Sequence, residues 1–221
     1  MLRANASALL SLLVLLPAGS AFASWQDIPA TDFKLAPPPA PGSAESDQDY
    51  AQLLKLQASR KPEECASAAA QTAPDFQSLF AESGILTKSE LTAVGPFLDS
   101  TSKLVAKISG YFKKQFARPR PYDADPRIKP CIAKPGGATA YPSTHATAGV
   151  VDACVLGQLF SRRADILASY GRHVGELRVI AGVHHPSDVA AGQTLGSQIC
   201  ERLLKEADFS AELARVKAAL P

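Results

Sequence analysis

Three short stretches of this sequence hold residue types that can grip an oxyanion and move protons. They are Lys113 with Arg120 and Pro121, Pro142-Ser143-Thr144-His145, and Arg178 with His184 and Asp188. Arginine offers a planar fork of N–H donors that matches the oxygens of a phosphate-like group, and lysine offers a mobile point charge. Three such cations arriving from separate segments would neutralise a tetrahedral dianion and the charge of its transition state. Taken one at a time, each reads equally as a solvated surface charge, because long charged side chains are mostly exposed. Arg178 also suits the negative end of its own helix.

The second and third stretches add proton chemistry. Ser143 follows Pro142 at a helix start, where free backbone N–H groups and a partial positive charge make a ready anion site. The same serine reads as an ordinary N-cap. His184 falls in a turn between Gly182 and Pro186, with Asp188 in the first turn of the next helix. From there the carboxylate can hold one imidazole nitrogen, fixing the tautomer and leaving the other nitrogen free to attack. An aspartate in a first turn is also good capping. His145, at a separate helix start, is placed to act as a general acid. His173 and His185 stand outside this arrangement and read as surface or packing residues.

The elements that must position these groups are helical. Apolar positions at helical spacing over 47–70, stepped near Pro62, predict one or two helices, and 75–83 a short one. Leu104, Ile108, Phe112 and Phe116 recur every four residues on one face of a long helix over 88–116, with a kink expected at Pro96. Residues 118–142 hold six prolines and Gly136-Gly137 and read as a long structured loop. Helices are predicted over 143–160 and 164–181, the latter capped by Gly182, then over 186–206 and 210–219. No alternating strand pattern survives, so the fold class is all-α, a single helical bundle.

The domain organisation follows. Residues 1–23 combine Arg3, an apolar run over 8–16 and Ala21-Phe22-Ala23, the pattern of a cleaved signal peptide with too short an apolar run to span a bilayer. Residues 24–46, with Pro37-Pro38-Pro39-Ala40-Pro41-Gly42, read as a stiff arm laid on the surface of the helical domain over 47–221. The chain carries 23 Lys and Arg against 21 Asp and Glu. Removing Arg3 with the leader brings this nearer balance, which gives no support to a nucleic-acid or membrane-surface partner. Four cysteines, Cys65, Cys131, Cys154 and Cys200, lack metal-ligand spacing. In an oxidising compartment they allow three disulfide connectivities, and Cys154 and Cys200 read alternatively as buried free thiols.

In order and spacing, the three stretches resemble the signature of the type 2 phosphatidic acid phosphatase superfamily: Lys-x6-Arg-Pro, Pro-Ser-Gly-His, Ser-Arg-x5-His-x3-Asp. Lys113, Arg120, Pro121, Pro142, Ser143, His145, Arg178, His184 and Asp188 match. The leader, the proline-rich arm before Leu53-Leu54-Lys55-Leu56-Gln57, and Tyr141 resemble the soluble class A nonspecific acid phosphatases. The resemblance implies a helical bundle, often a homodimer, needing no metal or cofactor and acting outside the cytoplasm, in the periplasm or secreted, on small phosphate esters. It also implies roles. Lys113, Arg120 and Arg178 hold phosphate together with Ser143, Thr144 and backbone amides; His184 is the nucleophile that becomes phosphohistidine, Asp188 orients it, and His145 is the acid that then activates water.

Two signature positions differ. Thr144 stands for the glycine and Leu177 for the serine before Arg178, and His185 also replaces an aromatic residue common in the class A enzymes. These changes bear on pocket shape and substrate range and spare the proton-transfer positions. The rival readings are a lipid-phosphate or pyrophosphate phosphatase and a vanadate-dependent haloperoxidase, whose anion site is similar but whose chains are generally much longer. A third is a secreted binding module with a dead site.

Overall fold

The computed structural model describes residues 24–221, so the signal peptide read over 1–23 lies outside the described residues. Two short 3-10 turns, Trp25–Asp27 and Ala30–Asp32, precede nine α-helices: α1 (Ala44–Ser59), α2 (Pro62–Ala70), α3 (Phe76–Phe80), α4 (Lys88–Phe116), α5 (Pro121–Ala124), α6 (Thr144–Leu159), α7 (Ala164–Ile180), α8 (Pro186–Leu203) and α9 (Ala207–Ala218). A third 3-10 turn, Ser161–Arg163, joins α6 to α7. Among the described residues there is no strand; one isolated bridge pairs Pro119 with Thr139. The chain is all-α, as its periodicity predicts.

Local chemistry accounts for the helix ends. Thr87 and Glu90 form a reciprocal capping box on α4, with Thr87 N–H donating to Glu90 at 2.8 Å and Glu90 N–H to Thr87 Oγ1 at 3.3 Å. The α4 helix continues through Pro96 for 29 residues in all. Gly182, at φ +76°, closes α7 in a left-handed turn that a side chain would strain. Its N–H bonds Val179 O and that of Val183 bonds Arg178 O.

The α6 helix is the centre, packed against α7, α8 and α4. Its alanine- and glycine-rich composition permits close approach: a Cβ on Gly171 of α7 would lie 2.3 Å from Gly149 O of α6, and one on Gly192 of α8 would lie 2.5 Å from Ser143 O. The second contact brings the start of α8 against the start of α6. Backbone contact seals the junction, since Ser143 N–H donates to Asp188 O at 2.9 Å. Tertiary approach of small residues therefore places the second and third motifs side by side.

Two expectations are corrected, and one open alternative is decided. The arm is not simply laid on the surface: Trp25, Ile28 and Phe33 are buried, and the Trp25 ring stands edge-on to Phe97 and Phe209 at 6.2 and 5.3 Å. Apolar surface of that size is stabilised by leaving water, which draws the residues before the prolines into the core. The cysteines, whose pairing the sequence leaves open, pair as Cys65–Cys131 and Cys154–Cys200: the loop carrying Cys131 lies against the end of α7 and α2, and α6 packs on α8, bringing the paired Cα atoms to 5.8 and 6.4 Å. His185 is no surface residue and sits within the His184–Asp188 arrangement, as described next.

Candidate active site

The last turn of α4 carries Lys113, whose Nζ donates to Thr139 O and Ala140 O at 3.2 Å each. The helix ends at Ala117 in the left-handed conformation, turning the chain into Arg118-Pro119-Arg120-Pro121. Two prolines keep this run extended. The Ala140 N–H donates to Arg118 O at 2.8 Å, so the chain arriving at Pro142 lies alongside it.

Arg120 then reaches the third motif. Its Nη1 donates to Val183 O at 2.9 Å and contacts His184 Nε2 at 2.7 Å. A guanidinium has no lone pair to offer, so Nε2 must accept and the imidazole proton sits on Nδ1. Nδ1 lies 3.3 Å from Asp188 Oδ2, which accepts from it. This tautomer leaves the Nε2 lone pair as the nucleophilic one, and in this structure Arg120 occupies it.

His145 and Arg178 meet at the end of α2. His145 Nε2 donates to Gln71 O at 3.1 Å, Arg178 Nη1 lies 3.5 Å from the same oxygen, and Arg178 Nη2 donates to Ala68 O. Arg178 is 2% exposed and its Nε has no partner. The carbonyls of a helix C-terminus thus hold this arginine, leaving it one buried donor to spend.

The electrostatics show that the cations converge. Burial, then Arg178, Arg120 and Lys113 in turn, push the His145 imidazole down to about 3, so it is neutral here. Burial and Arg120 bring Lys113 down to about 7 and Arg178 to about 10. Burial drives the His184 imidazole well below its ordinary range, with Arg120 and Lys113 adding to this and Asp188 opposing it. Burial by itself would raise the Asp188 carboxyl, but the imidazoles of His184 and His185 hold it well below the usual carboxylate range. The three cations are each partly or fully desolvated and repel one another, and all would be relieved by one incoming dianion.

Of the residues singled out in sequence, Lys113, Arg120, His145, Arg178, His184 and Asp188 are brought together. Ser143 is fully buried at the junction, and its Oγ caps α6 by accepting from Ala146 N–H at 3.4 Å. Thr144, the first residue of α6, is half-buried beside it, and Leu177 is buried with Ala68, Ala181 and Val183. His185, 1% exposed, donates from both its backbone N–H and its Nδ1 to Asp188 Oδ2, at 2.8 and 3.0 Å, with its ring edge-to-face with Tyr50. Sequence reasoning also passed over Arg118, which bonds Asp188 Oδ1 at 2.7 Å and Asp49 Oδ2 at 2.8 Å. The repeated Arg-Pro of residues 118–121 was a usable signal for Arg118; Asp49 and Gln71 had none, being brought in from distant helices.

The comparisons with known proteins agree with the motifs. Residues 100–201 match the model of the PAP2 superfamily. A non-specific acid phosphatase of Salmonella typhi is 34% identical over 125 residues, 52% of this chain and 49% of that protein. One from Salmonella typhimurium is 33% identical over 129 residues, 53% of this chain and 50% of the relative. An acid phosphatase of Zymomonas mobilis is 35% identical over 113 residues, 48% of this chain and 42% of that one. The chain spans about half the length of the curated relatives it matches. Among solved structures, a transmembrane PAP2 type phosphatidylglycerolphosphate phosphatase from Bacillus subtilis shares the fold, with a TM-score of 0.56 and 17% identity over 73% of this chain and 85% of that one. Among the described residues no helix is long and apolar enough to cross a membrane. The resemblance carried by the three motifs is thereby shown.

Proposed function

We propose that this chain, similar to the PAP2 superfamily across residues 100–201, is an exported acid phosphatase that hydrolyses phosphate monoesters through a phosphohistidine on His184. The observation that carries this reading is the His184 ring, with Nδ1–H on Asp188 and the Nε2 lone pair facing a cation. A phosphate dianion entering among Lys113, Arg120 and Arg178 would draw Arg120 onto its oxygens and uncover Nε2. The lone pair then attacks phosphorus as the ester P–O bond breaks. His145, protonated once the dianion offsets the neighbouring cations, gives its proton to the leaving oxygen. The neutral His145 next takes a proton from water, which attacks phosphorus, and the N–P bond breaks to return inorganic phosphate and free His184.

Charge neutralisation falls to the three side-chain cations, and among the described residues no group of His, Cys, Asp or Glu is placed to hold a metal ion. We therefore expect metal-independent catalysis. Two disulfides and a leader-like N-terminus fit a periplasmic or secreted site of action. The test is hydrolysis of an aryl phosphate at mildly acid pH with chelator present, together with trapping of acid-labile phosphate on the protein. Turnover and label that both vanish in His184→Ala support the reading. Turnover indifferent to His184, or lost with chelator and restored by a divalent ion, overturns it.

A further inference from the structure

Asp188 has more partners than His184. Its Oδ2 accepts from the His184 and His185 imidazoles and from the His185 backbone, while its Oδ1 accepts from Arg118 at 2.7 Å. A carboxylate makes an adjacent imidazole more basic by the charge it keeps, and each further donor takes a share of that charge. Arg118 takes the largest, because it brings a full positive charge into a buried contact. Paired with Arg118 alone, Asp188 would present His184 with a nearly neutral ion pair.

A second carboxylate prevents this. Asp49, on α1, accepts from Arg118 Nη2 at 2.8 Å with Oδ2, and from the Ser187 backbone N–H at 2.9 Å with Oδ1. The Ser187 hydroxyl accepts from Arg118 Nη1 at 2.7 Å and donates to Asp49 Oδ2. Asp49, Arg118 and Asp188 are 4%, 8% and 0% exposed, so water screens none of them effectively. Burial opposes the Arg118 charge, and the two aspartates overcome it.

We propose that Asp49 is a positioning residue for His184, acting through Arg118. It offsets the guanidinium so that Asp188 keeps negative charge for the imidazole, and it pins the arginine fork so that Oδ2 faces His184. The charged and titratable groups facing His184 are Lys113 from α4, Arg120 from the loop after it, and Asp188 with His185 from the start of α8. Two are cations that make His184 less basic, so the charge on Asp188 is the counterweight. Asp49→Asn keeps the shape of the cluster while changing its formal charge from −1 to zero. The inference rests on the phosphatase reading of the site and brings α1, which carries none of the three motifs, into the catalytic arrangement.

The experiment compares wild type with Asp49→Asn in the whole mature chain. Its readouts are kcat and KM for an aryl phosphate across pH, and the NMR resonance of the His184 Nδ1–H, assigned by its loss in His184→Ala. The expected result is a fall in kcat of about tenfold with KM within about twofold, an acid limb of kcat moved down by about one pH unit, and an upfield shift of the Nδ1–H. Asp49→Glu, which retains the charge, should recover part of each. A loss of kcat with neither limb nor resonance moved would mean a merely structural role and overturn the proposal, as would a change confined to KM. If Asp49→Asn does not fold, Ser187→Ala, which removes the hydroxyl between Asp49 and Arg118, must move limb and resonance in the same directions by less; no movement overturns the proposal. If the wild type fails to hydrolyse aryl phosphate, the phosphatase reading fails by itself, and the Nδ1–H shift still decides the role of Asp49.

Discussion

Binding a dianion should put a proton on His145. In the structure the imidazole sits at about 3, depressed by burial and by Arg178, Arg120 and Lys113. A charge about 5 Å away, at an effective dielectric near 20, interacts by about 3 kcal/mol, so a dianion contributes roughly 7 kcal/mol, or about five pH units. Binding would then raise the His145 imidazole through the mildly acid range, so that it is protonated there. Sulfate is the right probe, because it stays a dianion across this range while phosphate itself titrates. By linkage, a group whose affinity for protons rises on binding makes binding weaken as pH rises. Sulfate affinity should therefore fall by at least about tenfold per pH unit between pH 4 and 7, with about one proton taken up by His145. Calorimetry in two buffers of different ionisation enthalpy measures that uptake. His145→Ala should lower the uptake by about one proton in the acid window and leave that of His184, whose imidazole is also depressed, and, at higher pH, that of Lys113, which stands at about 7. Buffer-independent heat with flat affinity from pH 4.5 to 6.5, or uptake unchanged in His145→Ala, would refute the claim that substrate itself creates the general acid.

Three further outcomes test the scaffold. Gly171→Ala would place a Cβ 2.3 Å from Gly149 O and 2.6 Å from Ala153 Cβ; forcing α6 and α7 apart should destabilise the fold by about 3 kcal/mol, read by denaturant unfolding. Asp152 is fully buried, and burial first, then Asp75 and Asp99, raise its carboxyl well above the usual range against a hydrogen bond from Thr101. Its folded pKa is raised, so stability is full below about pH 4 and is lost as pH rises toward the folded value, at up to about 1.4 kcal/mol per pH unit; Asp152→Asn should melt higher than wild type at pH 8 and equal to it near pH 4. Replacing Cys65 and Cys131 by serine frees a loop of 66 residues' separation and should cost about 4 kcal/mol of stability. Because α2 supplies the carbonyls that hold His145 and Arg178, sulfate binding should weaken in the same variant.

The sequence by itself determined the helices and most of the residues that the fold gathers into the candidate site. Apolar residues at helical spacing and end signals such as Gly182 and Pro186 act within a few residues, so α4, α7 and α8 are legible without a structure. Lys113, Arg120, His145, Arg178, His184 and Asp188 are legible for a related reason, since each cluster works through fixed local spacing. Tertiary structure decided what lies at long range. Trp25 joins the core because Phe97 and Phe209 offer it apolar cover, which an irregular arm cannot announce. The cysteine pairing depends on which segments touch, and four cysteines at wide spacing carry no such record. His185 and His184 are adjacent in sequence and share one oxygen of Asp188, and only their ring orientations reveal it. Asp49 and Gln71 enter through contacts spanning 69 and 74 residues, to Arg118 and His145. Their contacts join buried polar groups, whose desolvation and mutual charge exist only once the chain has folded around them.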